Sequence, residues 1–194
     1  MSSTERGLLQ AALEIQRFFE THQWQFALIG GLATMRWGEL RTTIDVDGTL
    51  LTMFVNEDHY IDTLLARFQS RVADAKEFAL TYRVLLLTAS NGVGIDISLG
   101  GMPFEQQMIE RSSLFEFEKD YVLRTCSAED LIVLKAFAAR DKDWADVGSI
   151  LQRQKGKLEI ESICENLRQL CEWKESPDIM TKFYQMLNSP EHRS

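Results

Sequence analysis

Asp45 and Asp47 stand two residues apart in Thr42-Thr-Ile-Asp-Val-Asp-Gly-Thr-Leu50, a stretch rich in Thr, Ile and Val. In an extended chain this spacing turns both side chains to one face, with Cα atoms about 6–7 Å apart. Two carboxylates that close repel each other unless a positive charge lies between them. A hard divalent cation supplies it, and magnesium prefers carboxylate oxygens with substrate phosphates completing its shell. An Asp-x-Asp pair alone is also common on solvated strand faces, so a third acid matters. In Gly92-Val-Gly-Ile-Asp-Ile-Ser-Leu99, the apolar Val93, Ile95, Ile97 and Leu99 alternate with Gly94, Asp96 and Ser98. Asp96 is therefore placed mid-strand on the small, polar face, where aspartate is disfavoured without a purpose. If the two strands are neighbours, the three carboxylates converge. That arrangement suits a two-metal site clamping the attacking and leaving oxygens of a phosphoryl or nucleotidyl transfer.

Gly30-Gly31 follows the short apolar segment Trp24–Ile29 and precedes a short helical pattern through Ala33, Met35 and Trp37. A strand that ends in two glycines before a helix lets backbone N–H groups approach a phosphate, and the helix N-terminus adds positive potential.

Other elements must hold these residues in place. Ser2 and Glu5 have capping-box spacing, and Leu8, Ala12, Ile15 and Phe19 form one apolar helical stripe. Thr42–Phe54 is predicted as a strand region. Asp58–Arg71 is predicted as a helix with Ile61, Leu64, Leu65 and Phe68 on its apolar face. Phe78–Thr88 and Val93–Leu99 are predicted as strands joined at Asn91-Gly92, a strong hairpin signal. Pro103 is predicted to begin a short helix, and Leu114–Leu123 to hold an extended piece. From Ser127, paired with Asp130 as a cap, the pattern is helical, with breaks expected at Gly156 and Pro177. The expected architecture is α/β of the α+β type, a mixed sheet with flanking helices in residues 1–125. A C-terminal helical region, 126–194, is expected to pack on it.

Composition narrows the function. The chain has 194 residues, 21 Lys+Arg against 29 Asp+Glu, and 45% apolar residues. That suits a folded domain and excludes a disordered chain. The net charge of −8 disfavours a general nucleic-acid coating protein, which gains affinity by neutralising phosphates. No apolar run approaches the ~20 residues that span a bilayer, and the first residues have no signal-peptide character. A cytoplasmic protein with no membrane partner is expected. Cys126, Cys164 and Cys171 lack metal-site spacing and read as ordinary thiols. His22, His59 and His192 lie outside the motifs and read as structural or exposed.

Taken together, Gly30-Gly31, Arg41-x-Thr43-x-Asp45-x-Asp47 and the strand acid Asp96 resemble the polymerase-β-like nucleotidyltransferase superfamily. The match is closest to its branch with an Arg-x-Thr-x-Asp-x-Asp string, which includes the abortive-infection (type IV toxin–antitoxin) nucleotidyltransferases. Ser127–Lys135 resembles a family helix carrying a lysine, and Arg140-Asp-Lys-Asp143-Trp-Ala-Asp146 resembles a following Arg-x-x-Asp-x-x-Asp element. The resemblance implies that Asp45, Asp47 and Asp96 are the catalytic residues and bind Mg2+ or Mn2+, with Asp96 as third ligand or as base. It implies that Gly30, Gly31, Arg41, Thr43 and Lys135 bind the nucleotide, with Arg140 and Asp143 in support. The implied reaction moves a nucleoside monophosphate from a nucleoside triphosphate to a hydroxyl of an RNA end such as tRNA, or of a protein. The implied role is a toxin with a cognate antitoxin.

Two other readings stand beside it. Asp45-Val-Asp-Gly-Thr-Leu50 also spells the first motif of haloacid-dehalogenase-like phosphatases, with Asp45 as nucleophile, and Val84–Thr88 resembles their second. That fold needs a parallel sheet and an almost wholly apolar strand before the nucleophile, where this chain has Arg41, Thr42 and Thr43. It also leaves Gly30-Gly31 and Asp96 unused. The third reading is a non-catalytic binding protein of nucleotidyltransferase fold. Gly48, where the nucleotidyltransferase pattern prefers an apolar residue, points to a bulge or a close backbone approach. Arg153, Lys155 and Lys157 are the basic residues available to an RNA acceptor, or simply a solvated loop.

Overall fold

A computed structural model describes residues 2–39 and 42–189. Arg41 and His192 lie outside these described residues. The chain divides into two compact units, one of Met1–Leu32 with Thr42–Cys126, the other of Ala33–Arg41 with Ser127–Ser194.

Among the described residues the first unit is built on a seven-stranded sheet. In chain order its strands are β1 (Phe26–Leu28), β2 (Asp45–Leu51), β3 (Gln69–Ser70), β4 (Val84–Thr88), β5 (Gly94–Gly100), β6 (Ser113–Glu118) and β7 (Tyr121–Thr125). Their spatial order is β3-β4-β5-β2-β1-β7-β6. β2 runs parallel to β5 and antiparallel to β1, and β4 runs antiparallel to β5. The sheet is thus mixed, and Asp45 opens β2. Both facts disagree with the phosphatase reading, which needs a parallel sheet and a nucleophile that follows an apolar strand.

Burial alternates along the central strands. Val46, Ile95, Ile97, Leu85 and Leu87 are buried, whereas Asp45, Asp47, Asp96 and Leu86 are partly exposed on the other face. The buried face packs with α1 (Ser3–Thr21), which has the expected Ser2–Glu5 capping box and buries Leu8, Ala12, Ile15 and Phe19. Gly48 sits in regular pairing with Leu28 and Ile97, and no bulge interrupts β2 there. A Cβ at Gly48 would lie 3.2 Å from Ile97 Cδ1, so close packing accounts for the glycine.

Four boundaries differ from expectation. The strand region expected over 42–54 is confined to β2, Asp45–Leu51. The helix expected over 58–71 is α3, Glu57–Arg67, and the chain turns extended at Phe68 to form β3. Residues 78–82, expected in a strand, belong to α4 (Ala75–Tyr82). Arg83, in the left-handed region at φ 59°, ends that helix before β4. Ala, Lys, Glu and Leu favour a helix there, and the Phe78 and Tyr82 rings meet one turn apart at 4.7 Å. The extended piece over 114–123 is a hairpin, β6 turning into β7 with Asp120 at φ 74°. α5 (Pro103–Arg111) begins at Pro103 as expected.

The second unit is helical. α2 (Gly30–Trp37) enters it, followed by α6 (Ala128–Ala138), α7 (Asp141–Arg153), α8 (Ile160–Lys174) and α9 (Pro177–Leu187). Ser127 caps α6 by accepting from Asp130 N at 3.0 Å. Gly156, at φ 74°, lies in the turn after α7, and Pro177 opens α9. A further break falls at Ala139, φ 58°, with no glycine or proline to announce it. No helix among the described residues is long and apolar enough to cross a membrane.

Candidate active site

The pairing of β2 with β5 sets Asp45 opposite Gly94 and Asp47 opposite Asp96. Because all three acids lie on the partly exposed face, the parallel register brings them into one patch. Gly94 is part of this construction. A Cβ there would stand 2.4 Å from Asp45 Oδ1, so only hydrogen leaves room for that carboxylate.

β1 places the glycine turn beside the same patch. Leu28 pairs with Gly48, and Ile29 N donates to the Asp47 carbonyl at 2.9 Å. The chain then turns at Gly30, φ 58°, a conformation costly to any residue with a Cβ. A Cβ at Gly30 would lie 2.0 Å from Asp47 Oδ2, and one at Gly31 would lie 2.2 Å from Thr43 Oγ1. Gly31 N faces Asp47 Oδ2 at 3.5 Å. Thr43 Oγ1 also donates weakly to the Asp45 carbonyl at 3.4 Å. The turn therefore lies directly against Asp47, with the Gly31 N–H beside its carboxylate.

Electrostatically the three acids form one system. Burial raises the Asp96 pKa, the Arg71 guanidinium opposes that shift, and the negative charges of Asp47 and Asp45 add to it. Arg71 donates to Asp96 Oδ1 and forms an ion pair with it. Among the described residues no group of three or more acidic, histidine or cysteine side chains is gathered closely enough to hold a metal ion. The donor chemistry nevertheless fits one: three hard carboxylates share a face, and their mutual repulsion calls for a cation.

Lys135, Arg140 and Asp143 lie in the helical unit. Lys135 is buried on α6, and its Nζ pairs with Asp146 Oδ2 at 2.7 Å and Asp143 Oδ1 at 3.2 Å. Arg140 Nε donates to Asp143 Oδ2. Burial pushes the Asp143 carboxyl up, but the hydrogen bond from Arg140 and the charge of Lys135 outweigh it, and its pKa falls below the usual value. Arg140 and Asp143 form an ion pair, and Lys135 joins α6 to α7 through Asp143 and Asp146. In the same unit Arg153 donates to the Gly38 carbonyl, while Lys155 and Lys157 are exposed.

His22 and His59 pack against Trp24 in an aromatic cluster that includes none of the three acids. Cys164 and Cys171 are free thiols, and Cys126 is buried. Arg71 was not legible as a site residue. It was expected to end a helix, and only the short β3 carries it to the acid patch.

Residues 12–193 match the family described as "Nucleotidyl transferase AbiEii toxin, Type IV TA system". No curated protein matches the chain. Among solved structures, an antigenic nucleotidyltransferase-like protein from Paracoccidioides brasiliensis is similar at 13% identity, over 92% of this chain and 94% of that one, with a TM-score of 0.53. The lincosamide antibiotic adenylyltransferase LnuA, in its lincomycin-bound form, is similar at 15% identity, over 73% of this chain and 94% of that one, with a TM-score of 0.50. At such identities the likeness is one of fold.

Proposed function

Since the chain belongs to the AbiEii nucleotidyltransferase toxin family of type IV toxin–antitoxin systems, we propose that Asp45, Asp47 and Asp96 are its catalytic acids. The reaction transfers a nucleoside monophosphate from a nucleoside triphosphate to a hydroxyl acceptor. The observation that carries this reading is the parallel register that sets Asp47 against Asp96 while the Gly30 turn lies over Asp47.

Asp45 and Asp47 would hold a divalent ion, magnesium or manganese, and Asp96 would serve as a further ligand or as base. Such an ion would supply neutralisation of the negative charge on the triphosphate. The Gly30-Gly31 backbone holds phosphate oxygens, and Thr43 fixes the approach to β2. The acceptor hydroxyl oxygen forms a bond to the α-phosphorus. The bond from that phosphorus to the bridging oxygen breaks, and its electron pair leaves with pyrophosphate. The hydroxyl proton passes to a carboxylate of the patch, for which Asp96, on the neighbouring strand, is the candidate.

The acceptor is an RNA end or a protein side chain, and the biological role is that of a toxin held in check by a cognate antitoxin. With a net charge of −8, an RNA acceptor is held by shape or by a local patch, not by general attraction. The test uses α-labelled and γ-labelled triphosphates with magnesium or manganese and a cell lysate, resolved into RNA and protein. Label from the α position is expected on an acceptor and label from the γ position only in pyrophosphate. Transfer of γ-label, or α-transfer that survives Asp47→Asn, contradicts the mechanism.

A further inference from the structure

Four residues line up across the sheet. Asp47 on β2 pairs with Asp96 on β5, and Asp96 pairs with Leu86 on β4. Arg71, just after β3, continues the row by donating its backbone N–H to the Leu86 carbonyl at 2.9 Å. The backbone position of Arg71 is thereby fixed, and its side chain crosses Leu86 to reach Asp96. The guanidinium and the Asp45 carboxylate flank one point on β5, since a Gly94 Cβ would contact both, with Arg71 Nη1 at 3.3 Å. Arg71 and Asp96 are each about one-third exposed in their side chains, so the pair faces solvent and can exchange partners.

A guanidinium at this point does what a divalent cation would do, which is to compensate a crowded group of carboxylates. With Arg71 on Oδ1 of Asp96, only Oδ2 is left for a metal ion, so full use of this carboxylate by the ion requires the guanidinium to withdraw. Once displaced, it remains a planar cation with five donors, tethered within reach of the patch and suited to phosphate oxygens.

We infer that Arg71 is a nucleotide-site residue that serves as the resident counter-cation of Asp96, yields that carboxylate to the divalent ion, and then binds phosphate oxygens of the triphosphate. This rests on the proposed role of Asp45, Asp47 and Asp96 as metal ligands. It adds a residue outside the sequence motifs, and it makes metal binding and nucleotide binding cooperative. The metal frees the arginine that the nucleotide uses, and the nucleotide draws that arginine away from the metal's ligand.

The test measures manganese binding without nucleotide by electron paramagnetic resonance or calorimetry. It is run on the full chain and on Arg71→Gln, Arg71→Lys and Asp47→Asn. Removal of the competing charge is expected to tighten manganese binding about fivefold in Arg71→Gln, the scale of one partly exposed ion pair. With saturating manganese, the same variant is expected to bind a non-hydrolysable triphosphate about tenfold more weakly. Arg71→Lys is expected to recover part of the second effect. Manganese affinity that is unchanged or lower in Arg71→Gln overturns the inference, as does unchanged nucleotide affinity. Asp47→Asn separates this failure from that of the underlying reading: if it binds manganese as the unmodified chain does, the carboxylates are not the metal site and both fall.

Discussion

Asp45, Asp47 and Asp96 carry the chemistry, and Asp47 and the turn above it each answer to a distinct substitution. Asp47→Asn keeps the size of the side chain and its place beside Gly31 but removes a metal-binding charge. Transfer is expected to fall by more than about a hundredfold while circular dichroism stays unchanged. Gly30→Ala probes the turn. The left-handed φ alone costs about 1–2 kcal/mol, and the new methyl group must push the Asp47 carboxylate aside. Activity is therefore expected to fall further than the loss of stability explains, as melting and transfer assays on the same sample would show. These residues were legible in sequence because an aspartate within an apolar strand contradicts its surroundings, and period-two alternation reveals which face it takes. Arg71 gave no such contrast. An arginine is ordinary at a helix end, and its meaning comes from the sheet row that it joins.

At the level of elements, register is the decisive fact. A one-residue slip of β5 against β2 would turn Asp96 into the apolar layer, so the buried Val46, Ile95 and Ile97 enforce the site as much as the acids do. In the helical unit the join between α6 and α7 depends on Lys135 with Asp143 and Asp146. Lys135→Met leaves two buried carboxylates without their shared ammonium and is expected to cost about 3 kcal/mol in denaturant unfolding. A phosphate-binding role alone, as the family resemblance implies for this lysine, would lower transfer and leave stability intact. Asp143 adds a pH dependence. Its folded-state pKa is lowered, so its contribution is complete above the ordinary carboxyl range and is lost as pH falls below about 4 toward the folded value. Asp143→Asn is expected to be less stable at neutral pH and to lose less on acidification. Strands with alternation and helices with caps were legible. The short β3, the shift from α4 to β4 and the break at Ala139 were not, because tertiary pairing and left-handed residues decide them.

For the whole molecule, the sequence pattern carried the mixed α/β class through its strands and its late helical period. It had no means of finding that the stretch Ala33–Arg41 clusters with Ser127–Ser194, since periodicity is local. The net charge of −8 now has a partial use, because three of the acids gather on one face where a divalent ion relieves their repulsion. Manganese at about a hundred times its dissociation constant is expected to add about 2.7 kcal/mol to stability. That is a rise of roughly 5–10 °C in melting temperature for a chain of this size, absent in Asp47→Asn. The most direct test is a crystal structure with manganese and a non-hydrolysable triphosphate, read through the anomalous signal of the metal. The account predicts a peak about 2.1 Å from carboxylate oxygens of Asp45 and Asp47, with Asp96 turned toward the metal and away from Arg71, and the triphosphate against Gly30-Gly31. A bound triphosphate with its manganese elsewhere, or with Asp45 and Asp47 contacting no metal, would contradict it.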